Sequence, residues 1–227
     1  MTGTRTPPTS RSTKRVRNRR GEGGKLGEEI VATATAILEE TRSPAAITLR
    51  AVARRIGIST TSIYDHFSDR EAILAALADA AYVELAAATA NARARFTDPV
   101  DRLRAGCRGY LEFSRNRPHL YALLFTTKAM PGAPQGSRSP SDGAAFRHNG
   151  DPGATSFGAL VQAITACVEA GASTSSDPFA DAVAIWVALH GYATLRVSVP
   201  NFPWPPDDST FDRIVLCLAR IRPSAAP

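Results

Sequence analysis

Three cysteines, four histidines and two methionines are all that this 227-residue chain offers of the residues that most often bind metals or carry redox chemistry. Cys107, Cys167 and Cys217 lie far apart, each inside an apolar helical pattern. That spacing makes neither a metal site nor a disulfide framework, so they read as reduced core thiols of a cytoplasmic protein. His66, His119, His148 and His190 show no ligand spacing such as HExxH. There is no GxSxG elbow, no phosphate-binding glycine loop and no carboxylate pair on an apolar helix face. An enzyme is the rival class these gaps argue against, and no metal or cofactor is expected. No run reaches the roughly 18 consecutive apolar residues of a membrane span. The arginines near the N-terminus have no apolar segment behind them, so neither a membrane protein nor a secretory signal is expected. Strand-like alternation and internal repeats are missing too.

What is present is an uneven charge. The net charge is +6, yet residues 1–25 hold eight basic residues against the single acid Glu22, so the remainder of the chain sums to −1. The basic excess sits in a segment of Thr, Ser, Pro and Gly that cannot pack a core. It reads either as a solubilising leader or as a disordered arm, with Arg15, Arg17, Arg19 and Arg20 neutralising phosphates and releasing counterions.

Beyond the arm the pattern is helical throughout. Ile30, Val31, Ala34, Ile37 and Leu38 mark a first helix, which Pro44 stops. Thr48 is placed to cap a second over Leu49–Ile56, with Gly57 in the left-handed position after it. Ser59 caps a third, to about His66. Ser68 and Glu71 form a capping box for a long fourth helix to about Phe96, buried along Leu74, Leu77, Ala78, Ala81, Leu85, Ala88 and Ala92. Asp98-Pro99 and Pro118 begin two more. Residues 126–153 are rich in Gly, Pro and Ser without periodicity, so a mobile loop is expected there. Periodicity resumes at Phe157 and ends at Gly171. Asp177-Pro178 opens a helix apolar on most sides, and a last helix turns Phe211, Ile214, Val215, Leu218 and Ile221 inward.

Residues 48–67 fit a helix-turn-helix wherever its geometry restricts the residue: Ala53 is small at the crossing, Gly57 is in the turn, and Ile63 is apolar where the second helix enters the core. The wider segment ITLRAVARRIGISTTSIYDHFSDREAIL (47–74) resembles the DNA-binding signature of the tetracycline-repressor (TetR) family. FSRNRPHLYALLF (113–125) and the Trp186…His190-Gly191 pattern resemble the ligand-binding and dimerisation region of one of its branches. The resemblance implies a homodimer that releases DNA when a small molecule binds its C-terminal domain. It also implies a third helix in the major groove, with Tyr64, His66 and Arg70 on phosphates. The sequence departs from the family at Thr60, where a basic residue is frequent, and at Asp65, an acid in the recognition helix.

The residues support the same roles. Ser59, Thr60, Thr61 and Ser62 give the recognition helix a short hydroxyl-rich first turn, suited to base edges and the thymine methyl, and Thr48 joins them on the DNA side. Tyr64 and His66 hold register on the backbone. Residues 26–70 carry a net charge of −1, so the arm must supply the electrostatic attraction. Trp186 and His190 are one turn apart. They read either as a core tryptophan with a satisfied histidine or as part of an effector pocket with Tyr110, Phe113, Tyr121 and Phe125. The aromatic content favours an apolar or aromatic effector over a sugar phosphate.

The expectation is an all-α protein with an N-terminal three-helix DNA-binding domain and a C-terminal helical ligand-binding and dimerisation domain. Its divisions are a disordered arm over 1–25, a helix-turn-helix domain over 26–70, and an effector and dimerisation domain over 71–227. Its partners are operator DNA, a second copy of itself and a small-molecule effector. A constitutive DNA-binding protein without an effector is the alternative, against which the long C-terminal part argues, since dimerisation alone needs far less.

Overall fold

The computed structural model describes residues 23–126 and 152–223; Arg15, Arg17, Arg19 and Arg20 and nearly all of the expected loop lie outside the described residues. Nine α-helices and no strand occur among them, with one isolated bridge between Ser173 and Ile221. The chain is all-α, with an N-terminal helix-turn-helix unit and a C-terminal helical body.

Helix α1 (Gly23–Thr41) buries Ile30, Ala34, Ile37 and Leu38, the apolar stripe that its periodicity predicts. It ends just ahead of Pro44: Arg42 takes a left-handed φ of 55°, and Ser43 is extended, as a residue before proline must be. A 3₁₀ turn, Pro44–Ala46, leads through buried Ile47 to α2 (Leu49–Ile56). Helix α3 is Thr60–Tyr64, shorter than expected. Helix α4 (Arg70–Arg93) starts on Asp69, whose carboxylate accepts the Ala72 N–H at 2.8 Å. Asp69, not Ser68, is therefore the cap. Ser68 bonds the Asp69 side chain instead, because an ionised carboxylate is the stronger acceptor for an N–H at a helix start.

Helices α5 (Pro99–Asn116), α6 (Pro118–Thr126) and α7 (Pro152–Glu169) pack on α4, and α8 (Pro178–Ser198) packs on α5 and α7. Asp98 and Asp177 cap α5 and α8 with their carboxylates, and Gly171 closes α7 with φ 71°. The α4–α5 crossing is close because Gly109 has no side chain. A Cβ there would lie 3.2 Å from the Ala88 carbonyl and from Ala92 Cβ. By length and composition α4 alone among the described helices meets the requirement for a membrane span, yet Ile73, Leu77, Ala81 and Leu85 are buried against protein.

Helix α9 (Asp207–Asp212) runs on into a π-helical turn, Arg213–Cys217. Phe211 and Val215 are buried as expected, and Ala219 joins them. The wider turn leaves Cys217 exposed, which corrects the expectation that all three thiols are buried. Arg104 binds Asp212 with two nitrogens at 2.8 and 3.2 Å, and Arg108 reaches Asp208 at 2.7 Å, tying this segment to α5.

Candidate functional sites: a helix-turn-helix surface and an aromatic cavity

Local chemistry fixes the first site. Thr48 Oγ1 accepts the Ala51 N–H at 3.0 Å, and Gly57 turns the chain at φ 82°. Ser59 Oγ accepts the Ser62 N–H at 3.2 Å and lies 2.9 Å from Ser62 Oγ. Each cap contributes about 1 kcal/mol to holding its helix. Ile63, fully buried, anchors α3 to the core, and this leaves Thr60, Thr61 and Tyr64 facing outward, Tyr64 with 60% of its surface exposed. The Ser62 hydroxyl is engaged with the cap, so Thr60 and Thr61 are the freer hydroxyls of that turn. His66 is half-buried beside Gly27 of α1.

Arg70 occupies a different environment from the one expected of a phosphate ligand. Its Nε donates to the Ile47 carbonyl at 2.8 Å, Nη2 to the Pro44 carbonyl at 2.7 Å, and Nη1 pairs with Glu71 at 3.1 Å. The guanidinium thus clasps the start of α4 to the segment that enters the helix-turn-helix. Arg70→Met is expected to lower the melting temperature and weaken every DNA sequence alike, with no change in the slope of log K against log salt. A slope shallower by about 0.9 at an unchanged melting temperature would make Arg70 a phosphate ligand instead.

Two cations that sequence reasoning did not single out share this surface. Arg50 and Arg54, four residues apart on α2, are exposed and have no ion-pair partner among the described residues, whereas Arg55 is neutralised by a two-point contact with Glu40. Their i, i+4 spacing opposite buried Val52 and Ala53 was the available signal.

The second site is a cavity of about 230 Å³ enclosed by α4 through α8. Tyr110, Phe125 and Trp186, three of the six expected pocket residues, line it. Phe125, tilted, and Phe157, edge-on, flank Trp186 with ring centres 6.5 and 6.1 Å away, and Phe179 meets Phe157 edge-on at 5.5 Å. Tyr121 and His190 stand behind the wall. The Tyr121 hydroxyl lies 2.9 Å from that of Tyr110 and 2.8 Å from His190 Nδ1, so His190 is the satisfied histidine and the far end of a relay from the cavity. Burial pushes the Tyr121 phenol up to about 12 and Tyr110 higher still, and burial also holds His190 below its ordinary value. The relay is therefore neutral near pH 7. Phe113 is buried at 4% exposure and does not line the cavity: it lies about one turn beyond Tyr110, the last residue of α5 in the lining. Tyr82, Thr89 and Arg93 of α4 do line it. They lie on a helix whose periodicity reads simply as core.

A capped helix-turn-helix joined by one long helix to a helical body with an apolar cavity is the architecture of a DNA-binding transcriptional regulator. Residues 30–77 match the family described as bacterial regulatory proteins, tetR family, and residues 103–218 match the tetracyclin repressor-like C-terminal domain. The chain belongs to the TetR family of bacterial regulators. Among solved structures it is similar to a protein of unknown function from Rhodococcus sp. RHA1, 26% identical, with a TM-score of 0.69 and 86% of this chain and 94% of that one covered. A TetR-family transcriptional regulator from Pectobacterium atrosepticum shares the fold at 20% identity, TM-score 0.60, over 88% and 94% of the two chains. So does RolR in complex with resorcinol, at 16% identity, TM-score 0.61, over 89% of each.

Proposed function

We propose that the protein is a homodimeric, cytoplasmic repressor that binds a palindromic operator and leaves it when an apolar or aromatic small molecule enters the cavity. The observation that carries this reading is that α4 serves both sites. Its first residue, Arg70, grips the helix-turn-helix, and its later turns from Tyr82 to Arg93 line the cavity. A helix of this length, about 36 Å, turns a small shift at one end into a change of angle at the other. Thr60 and Thr61 read base edges in this scheme. Thr48, Ser59, Ser62, Tyr64, His66, Arg50 and Arg54 hold the turn and the phosphates, and the basic arm supplies long-range attraction. The solved RolR complex holds resorcinol, a small aromatic. The aromatic lining of the present cavity is our reason for proposing a ligand of similar character here.

A second copy is proposed to cover an outward stripe of α8. Ala184, Val187, Gly191 and Leu195 lie along it and are exposed or half-exposed. A Cβ on Gly191 would meet nothing within 4 Å, so packing inside one chain does not require the glycine there. Ala188, next to Val187, is half-buried, so Val187 is the better place for a disrupting charge.

Two measurements test the reading together. Binding-site selection is expected to return a palindrome with half-site centres one DNA turn apart, roughly 34–36 Å, and Thr61→Ala is expected to flatten preference at one base position at a cost of about 1–3 kcal/mol. With Trp204 replaced, an apolar ligand that changes Trp186 fluorescence is expected to weaken operator binding, and saturating operator must weaken that ligand by the same factor. If every ligand that perturbs Trp186 leaves operator affinity untouched, the protein is a constitutive DNA binder.

A further inference from the structure

One charged group breaks the apolar wall of the cavity. Arg93, the last residue of α4, runs across the face of α5 at Gly106. A Cβ there would stand 3.1 Å from both Arg93 Cγ and Cδ, so the glycine leaves the channel in which the side chain lies. The guanidinium then reaches α7, where Nη1 donates to the Ala159 carbonyl at 3.1 Å. Among the described residues that neutral oxygen is its one hydrogen-bond acceptor, and no carboxylate pairs with it. Burial, together with the like charge of Arg102, holds the Arg93 guanidinium below its ordinary value.

The other half-buried arginines of α5 and of the α5–α6 joint are treated differently. Arg104 has Asp212, Arg108 has Asp208, and Arg117 has Glu39 and Glu84. A cation taken partly out of water is costly unless an opposite charge meets it, and the guanidinium fork matches a carboxylate with two parallel hydrogen bonds. The cavity therefore presents rings at Phe125, Phe157 and Trp186 and one unmatched cation at Arg93.

Resting on the effector reading above, we infer that the effector is an amphipathic acid whose carboxylate is received by Arg93 while its aromatic or acyl body fills the apolar remainder. An amide of the same shape keeps the body and loses the charge.

The test compares 2-naphthoate with 2-naphthamide, and octanoate with octanamide, by calorimetry and by Trp186 fluorescence on the full chain. In each pair the acid is expected to bind about tenfold or more tightly than the amide. Arg93→Gln is expected to abolish that preference while leaving amide affinity in place, and Arg93→Lys to keep part of it. Gly106→Ala, which leaves the charge but displaces the side chain that carries it, is expected to erode the preference as well. Equal binding of acid and amide to the unmodified protein overturns the inference and leaves the effector reading standing. If neither member of either pair binds, both readings fall.

Discussion

A glutamate at Val187 is expected to produce a folded monomer that has lost its operator. Val187 is 58% exposed on the outer face of α8, one turn from Gly191, so a charge there disturbs nothing inside its own chain. In the proposed dimer the same position is dry, and two carboxylates related by a two-fold axis would face each other without partners. Losing the second recognition helix removes the effective concentration that joins two half-sites, which corresponds to about 10²–10⁴-fold in affinity. Sedimentation gives the oligomeric state and a single half-site duplex gives residual binding, which should be little changed. A variant that stays dimeric with full operator affinity moves the interface to another surface, such as Val197 or Phe202, both exposed in the single chain.

Ile63→Ala has the largest expected effect on stability. Ile63 is the buried residue of a five-residue helix, with 0% exposure, and nothing else in α3 reaches the core. Truncation leaves a void that so short a helix cannot close by tilting without breaking its cap at Ser59. The expected loss is about 2–5 kcal/mol, read by chemical denaturation. Because the lesion is local, hydrogen exchange should rise first in α3 and the turn, with α7 and α8 protected. Operator binding should fall for all sequences, unlike the one-position effect of Thr61→Ala. Uniform loss of protection along the chain would mean that the helix-turn-helix and the helical body unfold as one unit.

The features legible in the sequence are those fixed within a few residues. Thr48, Ser59, Asp98 and Asp177 cap helices because a short oxygen-bearing side chain precedes an apolar period, and Gly57 and Gly171 take positive φ where a helix must end. That Thr60 and Thr61 face outward was legible for the same reason, since Ile63 is pulled in. What depends on distant partners was not. Arg70 meets carbonyls 23 and 26 residues away, a pairing no local pattern encodes. Which aromatic of α5 meets the cavity is decided by how far along α5 the cavity extends, which its neighbours set, so Tyr110 lines it and Phe113, about one turn on, does not. Arg93 was invisible as a site residue because an arginine at a helix C-terminus already has an ordinary explanation in the helix dipole. The start of α4 is ambiguous for a local reason, because Ser68 and Asp69 are adjacent. Both residues can cap, and one φ/ψ pair decides between them.

The π-helical turn at the end of the chain has a practical consequence. Cys107 and Cys167 are buried, Cys107 in the wall of the cavity, and burial pushes their thiols up to about 12 and about 11. Thiol reagents attack the thiolate and must reach it, so both residues react far more slowly than an exposed thiol while the fold is intact. Cys217 has been turned outward. The unaltered polypeptide thus comes with one addressable sulfur, and a single maleimide fluorophore or spin label can be installed on the terminal segment without engineering any residue. In the proposed dimer two such probes are related by symmetry, and the distance between them becomes a ruler for subunit motion, with buried Cys167 counting only the fraction of molecules that have opened.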